Sequence, residues 1–431
     1  MAATQGSDYR PRVVDRQLER LLGQLPAVSI EGPRAVGKTW TARRWARTVY
    51  NLDDPPTLAL VTADPHRLVS SEPPVLIDEW QRFPASWDLV RRAVDDDPSP
   101  GRFLLTGSAA PSSGPTHSGA GRIVTVRMRP MSLAERGTET PSVSLSDLLD
   151  GERPAITGQT SVGLGAYAHE IVAGGFPGLA GIEHEALTQA LDGYLHRAVD
   201  HDVALMGHRV RNPATMRRWL TAYAAATATT ASYETILDAA TAGEADKPAR
   251  STTTAYRDLL EAMWLVEPVP AWQPMGNPLS RLKRGPKHHL ADPCLAARLL
   301  KASEDLLLSG NASHAVPDMG SGSGLLLGAL FESLVSLNVR VYAQAAGASV
   351  GHLRTWNDAH KVDLIVERAN RVVAVEVKLT AAPDSGDTAQ LRWLRDKLGP
   401  RLADSVQVTT GPYAYRDQDG IAIVPAALLG P

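Results

Sequence analysis

Apolar positions divide the chain into three blocks, and each block predicts a different architecture. In the first block Val14, Leu18, Leu21, Leu22 and Leu25 recur at helical spacing, which predicts a helix packed on a sheet edge. Unbroken apolar runs follow at Ala27-Val28-Ser29-Ile30, Pro74-Val75-Leu76-Ile77, Phe103-Leu104-Leu105 and Ile123 to Met128, with a shorter Tyr50-Asn51-Leu52-Asp53 among them. Runs that lack polar alternation are strands buried on both faces, the signature of a parallel sheet. Between them, Leu58 to Val69 reads as helical with a break at Pro65.

The second block begins with a Ser, Thr, Gly and Pro-rich stretch, Thr138 to Gly165, interrupted only by a short helical Leu145 to Leu149. That composition predicts a linker or excursion. Met216 to Thr227, Ser232 to Ala242 and Ser251 to Trp264 then read as helices, closed by Leu265 to Pro270 as a strand with a bent return. Helices followed by such a return form a winged-helix-like segment, whose third helix would enter a DNA groove.

A Gly/Ser run, Gly320 to Gly324, marks the third block. Leu325 to Val341 has a helical period, and the strands expected at His352 to Trp356, Lys361 to Val366 and Val372 to Lys378 are joined by short turns. In the last strand strict alternation puts Glu376 and Lys378 on one face. The expected fold is therefore α/β, with a P-loop NTPase parallel sheet in 1–137, a linker and helical connector in 138–210, a winged-helix-like segment in 211–305, a linker in 306–324 and an α/β domain in 325–431.

Composition narrows the function classes. A net charge of −3 over 431 residues excludes a global basic field, so any contact with nucleic acid must be local. The densest cationic run is Arg281-Leu282-Lys283-Arg284-Gly285-Pro286-Lys287-His288-His289, which could straddle phosphates. The single cysteine, Cys294, excludes an internal disulfide and a cysteine-based zinc cluster, and a reducing cytoplasm is the expected compartment. No apolar run reads as membrane-spanning, and no membrane partner is expected. Lysine is scarce, with 8 residues against 36 arginines, so Lys38 and Lys378 stand where the commoner cation was not used.

The chemistry centres on Gly32-Pro33-Arg34-Ala35-Val36-Gly37-Lys38-Thr39, which follows the first strand and opens a helix. Its spacing is that of a phosphate-binding loop: glycine amides point at the phosphates, Lys38 reaches the outer ones, and Thr39 holds Mg²⁺. ATP and Mg²⁺ are the cofactors this implies. Asp78 and Glu79 end a buried strand and resemble a Walker B element, with Asp78 on the metal and Glu79 polarising the attacking water. Thr106 and Ser108 end another strand and suit a sensor of the γ-phosphate or the water.

Taken in order, GPRAVGKT, VLIDEWQ, FLLTGSA, the Gly121-Arg122 pair and RPMSLAE resemble prokaryotic AAA-like P-loop ATPases whose C-terminal half is a domain of unknown function ending in a restriction-endonuclease-like module. The resemblance implies that Arg122 is a candidate arginine finger. Acting in trans, it would require a homo-oligomer. Gly174-Gly175-Phe176-Pro177 and Tyr194 to Asp202 are similar to the family's connector. In the third block Glu332, Asp363 and Glu376-x-Lys378 resemble the PD-(D/E)xK nuclease core, although Val362 stands in place of the motif's proline. In such a core Glu332, Asp363 and Glu376 would hold Mg²⁺ or Mn²⁺, Lys378 would position the water, and Gln390 would support them. The implied function is a Mg²⁺-dependent ATPase coupled to DNA binding and cleavage. The alternatives are a nucleotide-gated nucleic-acid or protein-binding module with an inactive nuclease-like fold, and a toxin-type regulator.

Overall fold

The computed structural model describes residues 9–108, 119–203, 212–242, 250–274, 285–309, 324–356, 358–384 and 386–431. Five strands build the N-terminal sheet: β1 Ala27–Glu31, β2 Thr48–Asn51, β3 Val75–Asp78, β4 Phe103–Gly107 and β5 Ile123–Arg127, in the order β2-β3-β4-β1-β5. Every pair is parallel. The unbroken apolar runs form because both faces are covered. Phe103 and Leu105 enter a core with Trp87 and Val90, whereas Leu104 faces a second core with Val28 and Leu76. The expected edge helix is α1, Val14–Leu22, which buries Val14, Leu18 and Leu22.

The predicted linker turns out to be built into the far end of the molecule. Val143–Ser144 (β6) pairs in parallel with Leu429–Gly430, and Gly158–Gln159 (β7) pairs antiparallel with the strand that starts at Tyr413. The helix Leu145–Asp150 between them buries Leu145, Leu148 and Leu149. Two-residue strands carry no period, so composition alone reads them as loop.

In the middle of the chain the three expected helices are Pro213–Ala225, Tyr233–Ala240 and Arg250–Ala262, the first two opened by side-chain caps from Asn212 and Ser232. Trp219, Tyr223 and Leu260 bury them against one another. The chain then forms a narrow hairpin through the antiparallel bridges Val266↔Leu290 and Val269↔Lys287, and Ala271 bridges to His352. Part of the basic run, Arg281 to Arg284, lies outside the described residues, as does Gly320 to Ser323 of the Gly/Ser boundary. In the rest of the run, read from the sequence as able to straddle phosphates, Lys287, His288 and His289 are all buried.

The C-terminal sheet contains β8 Ser349–Arg354, β9 Lys361–Arg368, β10 Arg371–Val377, β11 Leu402–Thr409, β12 Tyr413–Arg416 and β13 Ala422–Pro425, while β14, Leu429–Gly430, forms a separate two-stranded sheet with β6. The larger sheet has the order β7-β12-β13-β11-β10-β9-β8. β8, β9 and β10 run antiparallel as the turns required, and β10, β11 and β13 are parallel. The helix Gly324–Ala345 packs beneath this sheet. By length and composition its Leu326–Ala345 stretch could cross a membrane, contrary to the sequence reading, but 72% of the most apolar window is buried inside the protein, as in a core helix. One continuous apolar core runs from Val28 through Trp219 and Leu330 to Val406, joining all three regions.

Candidate functional site

The carboxyl ends of β1, β3 and β4 converge on a cleft of about 690 Å³. Register alone brings Asp78 opposite Thr106, and Ile30 on β1 is the other neighbour of Thr106. The loop after β1 passes so close to the segment after β5 that a side chain at Gly32 would lie 2.0 Å from the Met128 carbonyl oxygen. Gly37, at φ 96°, then starts the helix Lys38–Arg43 (α2) in a left-handed conformation. Lys38 folds its ammonium back over the loop, donating to the carbonyls of Gly32 at 2.9 Å and Pro33 at 2.8 Å. Burial lowers its pKa to about 8, against the opposing pull of Glu79 and Asp78.

One oxygen organises the acidic side. Asp78 Oδ1 accepts from Thr39 Oγ1 at 2.8 Å and also from the Thr106 hydroxyl. The predicted loop threonine, strand aspartate and sensor threonine therefore form a single network. Glu79 adopts φ 56°, a costly conformation for a residue with a side chain. Its carboxylate accepts from Ser108 Oγ at 3.2 Å and from the Gln81 amide. Hard oxygen donors from a hydroxyl and one carboxylate, open to a cleft, suit Mg²⁺ that takes its remaining ligands from phosphates and water. Thr39 and Asp78 are the residues that would hold it.

Arg12 went unnoticed in the sequence, because nothing around it forms a motif. Its buried guanidinium bonds the Val36 carbonyl in the phosphate loop at 2.7 Å, the Arg129 carbonyl at 2.7 Å and Glu135 at 2.9 Å. It ties the loop to the segment after β5. Arg34, predicted as part of the nucleotide loop, pairs with Asp202 of the connector at 2.9 Å. Pro177 and Gly178 of the same connector line the cleft wall, so the connector reaches the site directly. Arg122 does not line this cleft within the chain. It bonds Asp95 at 2.8 Å on an exposed face.

Where β5 leaves the sheet, an ion cluster joins the nucleotide region to the rest of the molecule. Glu267 sits 2.8 Å from Arg129, 3.4 Å from Arg127 and 3.5 Å from Arg340. Burial alone would push its carboxyl up, but Arg129, Arg127 and Arg340 together hold it far below the usual carboxylate range. Gln344 on the C-terminal helix accepts from Arg129 at 2.7 Å and donates to the Arg127 carbonyl at 2.7 Å.

In the C-terminal half Glu332, Asp363 and Glu376 do come together, but around a lysine that the nuclease-like pattern did not contain. Lys287 Nζ lies 2.7 Å from Glu332 Oε1 and 3.0 Å from Asp363 Oδ1. The other Asp363 oxygen accepts from the Val377 amide at 3.0 Å, and the Asp363 amide donates to Glu376 Oε2 at 3.4 Å. Lys378 stands 3.9 Å from both Glu376 and Asp387. Gln390 is engaged elsewhere, facing His360 Nδ1 at 3.0 Å, while the His360 ring stacks on Trp393.

Burial, reinforced by the Asp363 charge, raises the Glu332 carboxyl to about 7 despite Lys287, and the same two causes push Glu376 well up. Burial acts on Asp363 too, yet Lys287 and the Val377 amide outweigh it and hold that carboxyl low. For Lys287 burial opposes the charge, and Asp363 with Glu332 overcome it and raise its pKa. Each oxygen of Asp363 has an internal partner and a cation already lies between two of the carboxylates, so this arrangement does not fit a divalent metal. Among the described residues, no group of three or more His, Cys, Asp or Glu side chains is arranged to hold one.

Comparison with known proteins matches three stretches of the chain. Residues 165–306 match a domain of unknown function (DUF8612), and residues 327–429 match another (DUF4143). Uncharacterized proteins of Mycobacterium bovis and Mycobacterium tuberculosis are each 28% identical over 421 residues, covering 95% of this chain and 82% of theirs. Solved structures with partial likeness include the Walker-type ATPase of Pyrococcus abyssi, with TM-score 0.39, 16% identity and 69% of this chain covered against 98% of that one. The ORC2 protein of Aeropyrum pernix follows at TM-score 0.29 and 15% identity, covering 69% and 95%. Residues 24–136 match the AAA domain family, and with the loop, the acidic strand and the sensor hydroxyls gathered at one cleft this N-terminal region is a P-loop ATPase domain of the AAA type.

Proposed function

We propose that Mg²⁺-dependent ATP hydrolysis in the N-terminal cleft controls how the C-terminal half engages nucleic acid, with DNA as the substrate class. The observation that carries the reading is the shared oxygen of Asp78, which gathers the Thr39 and Thr106 hydroxyls beside Lys38. On nucleotide binding, Lys38 exchanges its loop carbonyls for phosphate oxygens. Glu79 orients the attacking water and accepts its proton, with Ser108 and Gln81 fixing the carboxylate. Mg²⁺, held through Thr39 and Asp78, supplies charge neutralisation to the phosphates.

Two contacts support a path from the cleft outward. Arg34 in the loop is paired with Asp202, and the end of β5 is joined through Glu267 to Arg340. An oligomer in which Arg122 reaches a neighbour's cleft is consistent with its exposed position, and it predicts turnover per chain that rises with protein concentration. The cytoplasm remains the compartment in this reading.

A second reading is favoured by Lys287: the C-terminal module recognises nucleic acid or a protein without cutting it. Phosphate release and DNA retention, each measured with ATP, with ADP and without nucleotide, test both readings. Lys38→Ala should lower phosphate release about a hundredfold or more, and unchanged turnover refutes the cleft. Equal DNA retention in all three nucleotide states refutes the coupling.

A further inference from the structure

A lone ammonium between carboxylates is common at surfaces, where water screens it. Lys287 is different because its position is fixed from both ends. Its amide donates to the Val269 carbonyl at 2.9 Å and its carbonyl accepts from the Val269 amide at 2.8 Å. The opposite strand of the hairpin is anchored onto the C-terminal sheet, where the His352 amide donates to Pro270 at 2.9 Å and the Trp272 amide donates to His352 at 2.8 Å. His288 and His289, which follow Lys287 on the same strand, are buried. From that anchored backbone the Lys287 side chain, 9% exposed, enters the cluster and places Nζ at 2.7 Å from Glu332, 3.0 Å from Asp363 Oδ1 and 3.4 Å from the Asp363 carbonyl.

An ammonium has three protons and no acceptor, and here three oxygens receive them. These are oxygens that a divalent ion would need, brought together from a helix and a strand. A metal entering the cluster would have to displace the ammonium or sit against it as a like charge. We propose that Lys287 is a built-in counter-ion that occupies the metal position of the C-terminal carboxylate cluster, so that the cluster takes up no Mg²⁺ or Mn²⁺ while the 266–290 hairpin is docked. The expectation of a metal there rests on the nuclease-like reading of Glu332, Asp363 and Glu376. The blocking contact rests on geometry alone and is independent of ATP turnover.

Mn²⁺ uptake by the full-length protein without nucleotide, read by calorimetry and by loss of the free-ion electron paramagnetic resonance signal, tests this. All arms carry Asp78→Asn, which removes the carboxylate that would hold a metal in the nucleotide cleft. With Lys287 intact, no Mn²⁺ should bind with a Kd below about 1 mM. Lys287→Met should gain one Mn²⁺ per chain, at least tenfold tighter than that limit, and adding Asp363→Asn should abolish the gain. Uptake of one ion with Lys287 intact overturns the proposal, and so does a folded Lys287→Met variant with no gain. If Lys287→Met fails to fold by circular dichroism, the intact-lysine arm still decides: no uptake supports the proposal and uptake of one ion ends it. Phosphate release by the chain with Asp78 intact is measured in parallel, so a failed ATPase reading and a failed counter-ion reading give different results.

Discussion

The two ends of the molecule each set a lysine beside carboxylates, and the partner that each ammonium chooses separates an open site from a filled one. Lys38 rests on the carbonyls of Gly32 and Pro33, leaving Asp78 with hydroxyl partners that a metal can share or replace. Lys287 rests on Glu332 and Asp363 themselves. Carbonyl oxygens hold an ammonium without cancelling its charge, so the first lysine remains available to an incoming triphosphate. Carboxylates cancel it, and the second site is already neutralised from within.

That contrast is broken most sharply at Glu79. Glu79→Gln keeps the size and the hydrogen bonds to Ser108 and Gln81 but removes the base, so turnover should fall by roughly 10²–10⁴-fold while ATP still binds. Single-turnover phosphate release beside a nucleotide-binding titration checks it. Loss of binding along with turnover would mean that Glu79 shapes the cleft and does no proton work.

At the filled site the corresponding effect is on stability. Lys287→Ala leaves two buried carboxylates facing each other, and removing one partner of a buried ionic cluster costs about 3–5 kcal/mol. Adding Glu332→Gln to that variant removes one of the two charges and should restore part of the loss. Denaturant unfolding of the single and double variants measures this. A single variant as stable as the parent would show that the ammonium contributes no net attraction, and the filled-site side of the contrast would collapse.

How much of this could be read in the sequence follows the same division. The nucleotide cleft was legible because its groups lie at the ends of unbroken apolar strands or in the loop motif that follows the first of them, where period and motif agree. Parallel register did the rest, setting Asp78 against Thr106. The carboxylates of the C-terminal cluster were legible as an ordered set, one on a helix and two on neighbouring strands, through their resemblance to a nuclease core. Lys287 was visible only as one cation in a basic run, because its side-chain direction depends on the bridge to Val269, which links residues 18 apart. Arg12 was invisible for a related reason: its three partners, Val36, Arg129 and Glu135, come from distant segments that only the folded chain assembles. The 138–165 stretch was misread because its strands are two residues long and owe their existence to the edges of other strands.

The smallest expected effect lies at the junction between the two sites, and it depends on pH. Glu267 has a folded pKa below its ordinary value of 4.5, because Arg129, Arg127 and Arg340 outweigh the effect of burial. A depressed carboxyl contributes stability that is full above the unfolded pKa and is lost as pH falls through the window toward the folded one. One such group changes stability by at most about 1.4 kcal/mol per pH unit. Below pH 4.5 the parent protein should therefore carry this slope, and Glu267→Gln, which has no proton to take up there, should lack it. At pH 6 the variant should be the less stable of the two, since three buried guanidinium groups lose their shared anion, and the curves should converge as acid neutralises the parent. Chemical denaturation at half-unit steps from pH 6 to pH 3.5 reads the difference directly. Parallel curves would mean that the arginines find other partners when Glu267 is neutral. The bolt between nucleotide cleft and filled cluster would then lie in the continuous apolar core, from Val28 through Leu330 to Val406, which no proton can switch.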